Sequence, residues 1–164
     1  MDTSQLNKSS IRATWHLYAG PGKAASFCVS HGVLRTSSPL PKGIKQGMAK
    51  ECLKNAGRLA LEHPDTLTYC EGWAQAPTRE NFTTYHAWCL DRRGKVVDPT
   101  WAHREESEYL GIPIKTGAFR QQIISTGQWG FFLHGVYLPK GFSTNPGAYI
   151  ESNFADGSLD NEAY

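Results

Sequence analysis

YHAWCLDRRGKVVDPTW, residues 85–101, is the stretch that decides the fold. Arg92-Arg93-Gly94 separates two apolar runs and suits a three-residue hairpin loop, a type I turn closed by a glycine in the left-handed region. With that loop, Asp91 faces Lys95 and Asp98 faces Trp88. His86 then lies diagonally from Asp98 on the same face of the sheet. Diagonal neighbours are roughly 7–8 Å apart between α-carbons, within reach of an imidazole and a carboxylate. A register shifted by one residue would put the two on opposite faces.

Working outward, Leu67–Ala74, Thr83–Leu90 and Lys95–Trp101 read as three strands of an antiparallel meander, with turns at Ala76–Asn81 and Asp91–Gly94. The best helix precedes them. Met48, Cys52, Ala56, Leu59 and Ala60 recur at helical spacing, Asn55, Arg58 and Glu62 fall largely elsewhere on the wheel, and Pro64 stops the pattern. Gly57 costs that helix about 1 kcal/mol relative to alanine, which suggests a close-packing role. Residues 37–47, with Pro39, Pro41, Gly43 and Gly47, form a loop. Ile11–Tyr18 and Ser26–Leu34 look extended, with a turn at Gly20-Pro21-Gly22 between them. Beyond Trp101 come a charged segment to Glu108, an apolar Tyr109–Ile114, a weaker helix at Gly117–Thr126 and an aromatic, partly buried Trp129–Leu138. The expected class is α+β, one central helix packed on an antiparallel sheet. The expected organisation is a loose start at 1–10, a single domain over 11–142 and a polar appended tail over 143–164.

The 164 residues allow a real core, and 40% hydrophobic with 20% charged residues is ordinary for a globular protein. A net charge of +2 without a basic stripe implies no nucleic-acid partner, and no apolar run is long enough for a membrane span. The polar opening MDTSQLNKSS does not read as a secretion signal, so the expectation is a cytoplasmic protein whose Cys28, Cys52, Cys70 and Cys89 are free thiols.

Cys52, His86 and Asp98 are the chemistry-bearing set. An imidazole can take and hold a thiol proton, and a carboxylate fixes the imidazole's tautomer and orientation. Cys52 lies early in its helix, where the dipole favours an anion. Whether Gly47 or a residue near Glu51 caps that helix is open, because no Ser, Thr, Asp or Asn lies between 40 and 51.

The order of a cysteine at a helix start, a histidine in a strand and an aspartate in the next strand resembles the papain and transglutaminase-like superfamily. His86-Ala87-Trp88 and Val97-Asp98-Pro99-Thr100-Trp101 look like the His and Asp strands of a transglutaminase-like core. Together, KECLKNA, YCEGWA, HAWCLDRRGKVVDPTW and YLGIPI are similar to segments of small bacterial and phage proteins, over roughly residues 45–130. The resemblance implies a Cys52–His86–Asp98 triad that hydrolyses or transfers an amide or peptide acyl group, without a cofactor. It implies Gln46 as an oxyanion donor, at the spacing before the cysteine that papain-like enzymes use. Asn55, Glu71 and Trp88 are the further residues expected to support the site. Long strand insertions and an acidic calcium loop are missing, so a calcium-dependent protein-crosslinking enzyme is not implied.

Competing readings stand beside this one. Cys52 could be a core thiol, His86 a core histidine and Asp98 a turn residue. Cys70, in YCEGWA, is the rival nucleophile. Glu71 is either a supporting acid or, the preferred reading, a solvated strand charge. Cys28, His31, His86 and Cys89 make a Cys2His2 zinc set on paper, but residues three apart on a strand face opposite ways. Gly20-Pro21-Gly22-Lys23-Ala24 lacks the further glycine and Ser or Thr of a phosphate loop. The functional alternatives are a non-enzymatic protein-binding inhibitor on the same fold and a zinc-stabilised binding module.

Overall fold

A computed structural model describes residues 23–76, 83–101, 106–132 and 138–154. The expected strand at Ile11–Tyr18, the loose start at 1–10 and most of the turn at Ala76–Asn81 lie outside these residues. The elements, in chain order, are α1 (Lys23–His31), β1 (Val33–Thr36), α2 (Cys52–Glu62), β2 (Leu67–Gln75), β3 (Thr83–Asp91), β4 (Val96–Val97), β5 (Glu108–Pro113) and α3 (Thr116–Thr126). The five strands form one antiparallel sheet in the order β1-β5-β2-β3-β4, so the class is α+β. Among the described residues no helix is long and apolar enough to cross a membrane.

The β3–β4 hairpin has the register its loop demands. Cys89 pairs with Val97 and Leu90 with Val96. Gly94 N–H donates to the Asp91 carbonyl at 2.8 Å, and Gly94 takes φ +71°, the left-handed conformation that lets the three-residue loop close. The strand expected over Lys95–Trp101 is much shorter than that. Pro99 has no N–H for a ladder, and the Asp98 carboxylate instead accepts from Thr100 N–H at 2.8 Å and Trp101 N–H at 3.3 Å. The chain therefore leaves the sheet at the residue that the site needs.

Helix α2 begins at Cys52, with Glu51 as its N-cap, which settles the capping question in favour of the later start. Met48, expected on its buried stripe, lies before the helix and is 68% exposed. Ala56, Gly57 and Ala60 are buried, and these small residues let the helix lie close to its neighbours. A Cβ on Gly57 would come within 2.7 Å of the Trp129 ring and 2.8 Å of Phe119. The helix stops before Pro64, where His63 N–H donates to the Leu59 carbonyl.

Residues 26–31, expected as extended chain, are helical. Phe27 and Val29 suggest a strand, but Ala24 and Cys28 bury together one turn apart, and the Phe27 and His31 rings meet at 4.3 Å. Only Val33–Thr36 of that region is strand. Residues 143–154, expected as an appended tail, pack on the body of the protein. Ile150 bridges to Ile114, Lys115 N–H donates to the Tyr149 carbonyl, and Phe154 is buried.

Both faces of the sheet are covered. The larger core joins the helices to Tyr69, Ala87, Cys89, Leu110 and Ile112, with Phe119, Phe131 and Phe142. The smaller core, on the other face, holds Cys70, Trp88, Leu90, Val96, Tyr109 and Phe154, with Trp101 packed against it. His86 and Trp88, two apart on β3, share this second face.

Candidate active site

Two segments meet at the start of α2. Gly47 N–H donates to the Pro99 carbonyl at 2.6 Å, the Gln46 side-chain amide donates to the Thr100 carbonyl at 3.3 Å, and Asn55 Nδ2 donates to Thr100 Oγ1 at 3.1 Å and to the Met48 carbonyl at 2.7 Å. The loop before Cys52 is thus stitched to the turn after Asp98. Asn55 is a brace between helix and turn. Gln46 also braces that turn, with one of its two amide N–H donors engaged by the Thr100 carbonyl.

His86 Nε2 lies 2.8 Å from Asp98 Oδ2, and both residues are buried. Since Nε2 faces Asp98, Nδ1 is the nitrogen left for Cys52, whose side chain lies within hydrogen-bonding reach of the ring. Burial alone would strip His86 of its proton. The hydrogen bonds to Asp98 and Cys52 and the charges of both outweigh burial and hold the imidazolium up to about 9. Burial pushes the Asp98 carboxyl up, but the His86 hydrogen bond and charge, Thr100 N–H and the Tyr109 hydroxyl bring it below the usual carboxylate range. Tyr109 donates to the same Oδ2 at 2.9 Å.

Three residues around this pair were not anticipated. Trp101 lies over the imidazole with ring centroids 4.4 Å apart, Tyr109 supplies the second donor to Asp98 Oδ2, and Thr100 links the carboxylate to Asn55. The Asp-Pro-Thr string carries a readable turn signal for Thr100. Tyr109 carries none, because β5 joins the sheet on the far side of β2. Trp88, expected as a support, is buried at 6.3 Å from the His86 ring and packs rather than hydrogen-bonds.

Cys52 is the one partly exposed thiol of the four, all of which are free. It is the first helical residue of α2, and Asn55 N–H to the Glu51 carbonyl is the first helical bond, so the amides of Cys52, Leu53 and Lys54 precede the ladder. Cys70 is fully buried, and burial pushes its thiol well up, which removes it as a rival nucleophile. Cys28 and Cys89 are buried in the same way, and Cys89 donates to the Ala56 carbonyl. The zinc set does not assemble. Cys28 is on α1, Cys89 faces the larger core and His86 the smaller one, and among the described residues no three or more His, Cys, Asp or Glu side chains are arranged to hold a metal ion.

Glu71 is fully buried, which overturns its reading as a solvated charge. Its carboxylate accepts from the Tyr69 hydroxyl at 2.6 Å, the Tyr85 hydroxyl, Phe131 N–H and Phe132 N–H at 2.8 Å. Burial raises its carboxyl to about 7 against these donors. Glu71 therefore anchors the 131–132 segment to the sheet, and because it pairs with Ala87 while Gly72 pairs with His86, it lies on the face opposite His86.

Comparison with protein-family models, with curated proteins and with solved structures finds no match for this chain.

Proposed function

We propose that this chain is a cysteine-dependent acyl-transfer enzyme with a papain- or transglutaminase-like core, acting on an amide or peptide bond. One observation carries the reading: the single partly exposed thiol starts a helix and lies against a histidine whose other ring nitrogen is held by a buried aspartate. In this mechanism the Cys52 sulfur, as thiolate, attacks the carbonyl carbon. The oxyanion that forms is met by the free amides at the start of α2. His86 gives its Nδ1 proton to the leaving nitrogen, the C–N bond breaks, and a thioester remains on Cys52. Water or an amine attacks the thioester, loses a proton to His86, and releases the acyl group with return of the thiolate. Asp98 keeps the ring oriented throughout and stabilises its charged form before the proton leaves and after it returns. Trp101 shields the ion pair from water.

A second reading, a non-enzymatic protein-binding factor on the same fold, is favoured by one feature: His86 is only 2% exposed. Acyl trapping separates the two. Incubation with 4-nitrophenyl acetate, followed by peptide mass mapping, is expected to place one acetyl group on Cys52 and none on Cys28, Cys70 or Cys89. An unmodified Cys52, in protein whose Cys52 peptide is recovered and which releases 4-nitrophenolate no faster than its Cys52→Ala variant, would refute the enzyme.

A further inference from the structure

A cleft of about 340 Å³ runs along α2 beside the candidate site, between that helix and residues 43–47. Its walls and the site share parts. Asn55, one turn beyond Cys52, lines the cleft and also holds Thr100, and Pro99, next to Asp98, closes the near end. Leu59 and Ile44 supply apolar wall and pack against the larger core.

The charge of the cleft is one-sided where it approaches the site. Lys45 and Arg58 line it, and neither forms an ion pair with another described residue. Arg58 is also held in place, its guanidinium lying 5.9 Å from the centre of the Trp129 ring, a cation–π contact. The single acid of the lining, Glu62, is a turn further from Cys52 and sits beside His63. A helix rises about 1.5 Å per residue, which puts Arg58 about 9 Å along the axis from Cys52. An extended peptide covers that distance in about three residues.

We infer that this cleft binds the substrate segment flanking the attacked carbonyl and selects a carboxylate two or three residues away from it. The inference rests on the acyl-transfer reading and adds the substrate class: acidic peptides or amides of similar reach. Lys45 and Arg58 attract the carboxylate, Leu59, Ile44 and Pro99 accommodate the intervening chain, and Asn55 marks the passage between cleft and nucleophile.

The test uses the full chain and four alkylating probes: iodoacetamide itself, and iodoacetamides whose nitrogen carries an extended hexyl-length chain ending in carboxylate, carboxamide or ammonium. Rates of Cys52 labelling are read by mass spectrometry at low salt. The carboxylate probe is expected to react about threefold to fivefold faster than the carboxamide probe, the range exposed ion pairs allow, with the ammonium probe slowest. With each rate divided by the same protein's iodoacetamide rate, the double variant Lys45→Glu, Arg58→Glu should reverse that order, and its circular dichroism melting curve checks that it folds. Equal rates for the three chain-bearing probes, or an acid preference that survives the double variant, would overturn the inference while leaving the nucleophile intact. A Cys52 inert even to iodoacetamide would overturn the acyl-transfer reading, and this inference with it.

Discussion

Asp98→Asn perturbs the centre of the candidate site with no change of shape. In the native protein Asp98 Oδ1 accepts from Thr100 N–H and Trp101 N–H, while Oδ2 accepts from Tyr109 and His86. An asparagine keeps the first pair with its carbonyl oxygen and puts an N–H donor where Oδ2 was. Tyr109 can turn to accept. His86 can do so only by losing the Nε2 proton, which moves its remaining hydrogen to Nδ1, the nitrogen facing Cys52. The magnitude follows from the ring's own titration. An ordinary imidazole is half-protonated near 6.5, and His86 is held up to about 9. At about 1.4 kcal/mol per tenfold change in proton affinity, the charged ring is favoured by about 3 kcal/mol, shared between Asp98 and Cys52. Without the carboxylate, burial dominates and the ring should titrate below 6.5.

Stability should fall by about 2–3 kcal/mol near neutral pH in urea denaturation. The folded protein binds the His86 proton more tightly than the unfolded chain, so this contribution is complete below 6.5 and lost as pH rises through 9. On the acid side the depressed Asp98 carboxyl makes its contribution above its ordinary value and loses it as pH falls through the folded value. The gap between native protein and variant should therefore be widest between those limits and narrow at both ends. NMR titration of the His86 ring reads the same change directly. A variant whose His86 still titrates near 9, or whose stability gap does not vary with pH, would refute this account of the pair.

Two further perturbations test the surrounding structure. Gly57→Ala adds a Cβ 2.7 Å from the Trp129 ring; the overpacking should exceed the helix-propensity gain of about 1 kcal/mol and lower stability by about 1 kcal/mol net, read by chemical denaturation. An increase in stability would show that Trp129 yields freely. Glu71→Gln should leave one of the Phe131 and Phe132 amides without an acceptor, at a cost of about 1–3 kcal/mol, and speed hydrogen exchange at those amides. Because burial raises the Glu71 carboxyl to about 7, its protonation favours the fold below 4.5 and that advantage is lost as pH rises through 7. The cost of Glu71→Gln should accordingly shrink as pH rises over that interval; a cost that grows would mean that the four donors outweigh burial.

How much of this was legible depended on how local the determinant was. The Arg92-Arg93-Gly94 loop dictates its register by itself, so the His86–Asp98 diagonal could be drawn from the sequence. The small-residue stripe of α2 was equally local, although Met48 extended it falsely by one turn. Residues 26–31 were misread because Phe27 and Val29 favour a strand in isolation, and only the shared burial of Ala24 and Cys28 against the rest of the protein makes that turn helical. Glu71 failed for a related reason. Alternation along β2 predicts a wet face only if one face is wet, and here both are covered. The placement of Tyr109 beside Asp98 depends on β5 entering the sheet between β1 and β2, a long-range choice that no local pattern encodes.

The central claim is that Cys52 is an activated thiol held by His86, and site-resolved iodoacetamide labelling of the native protein tests it most directly. Rapid labelling of Cys52 at about pH 7, slowed at least about tenfold by His86→Ala, with Cys28, Cys70 and Cys89 unlabelled until urea is added, is the predicted result. A Cys52 that reacts only after unfolding, or reacts equally fast without His86, would contradict it.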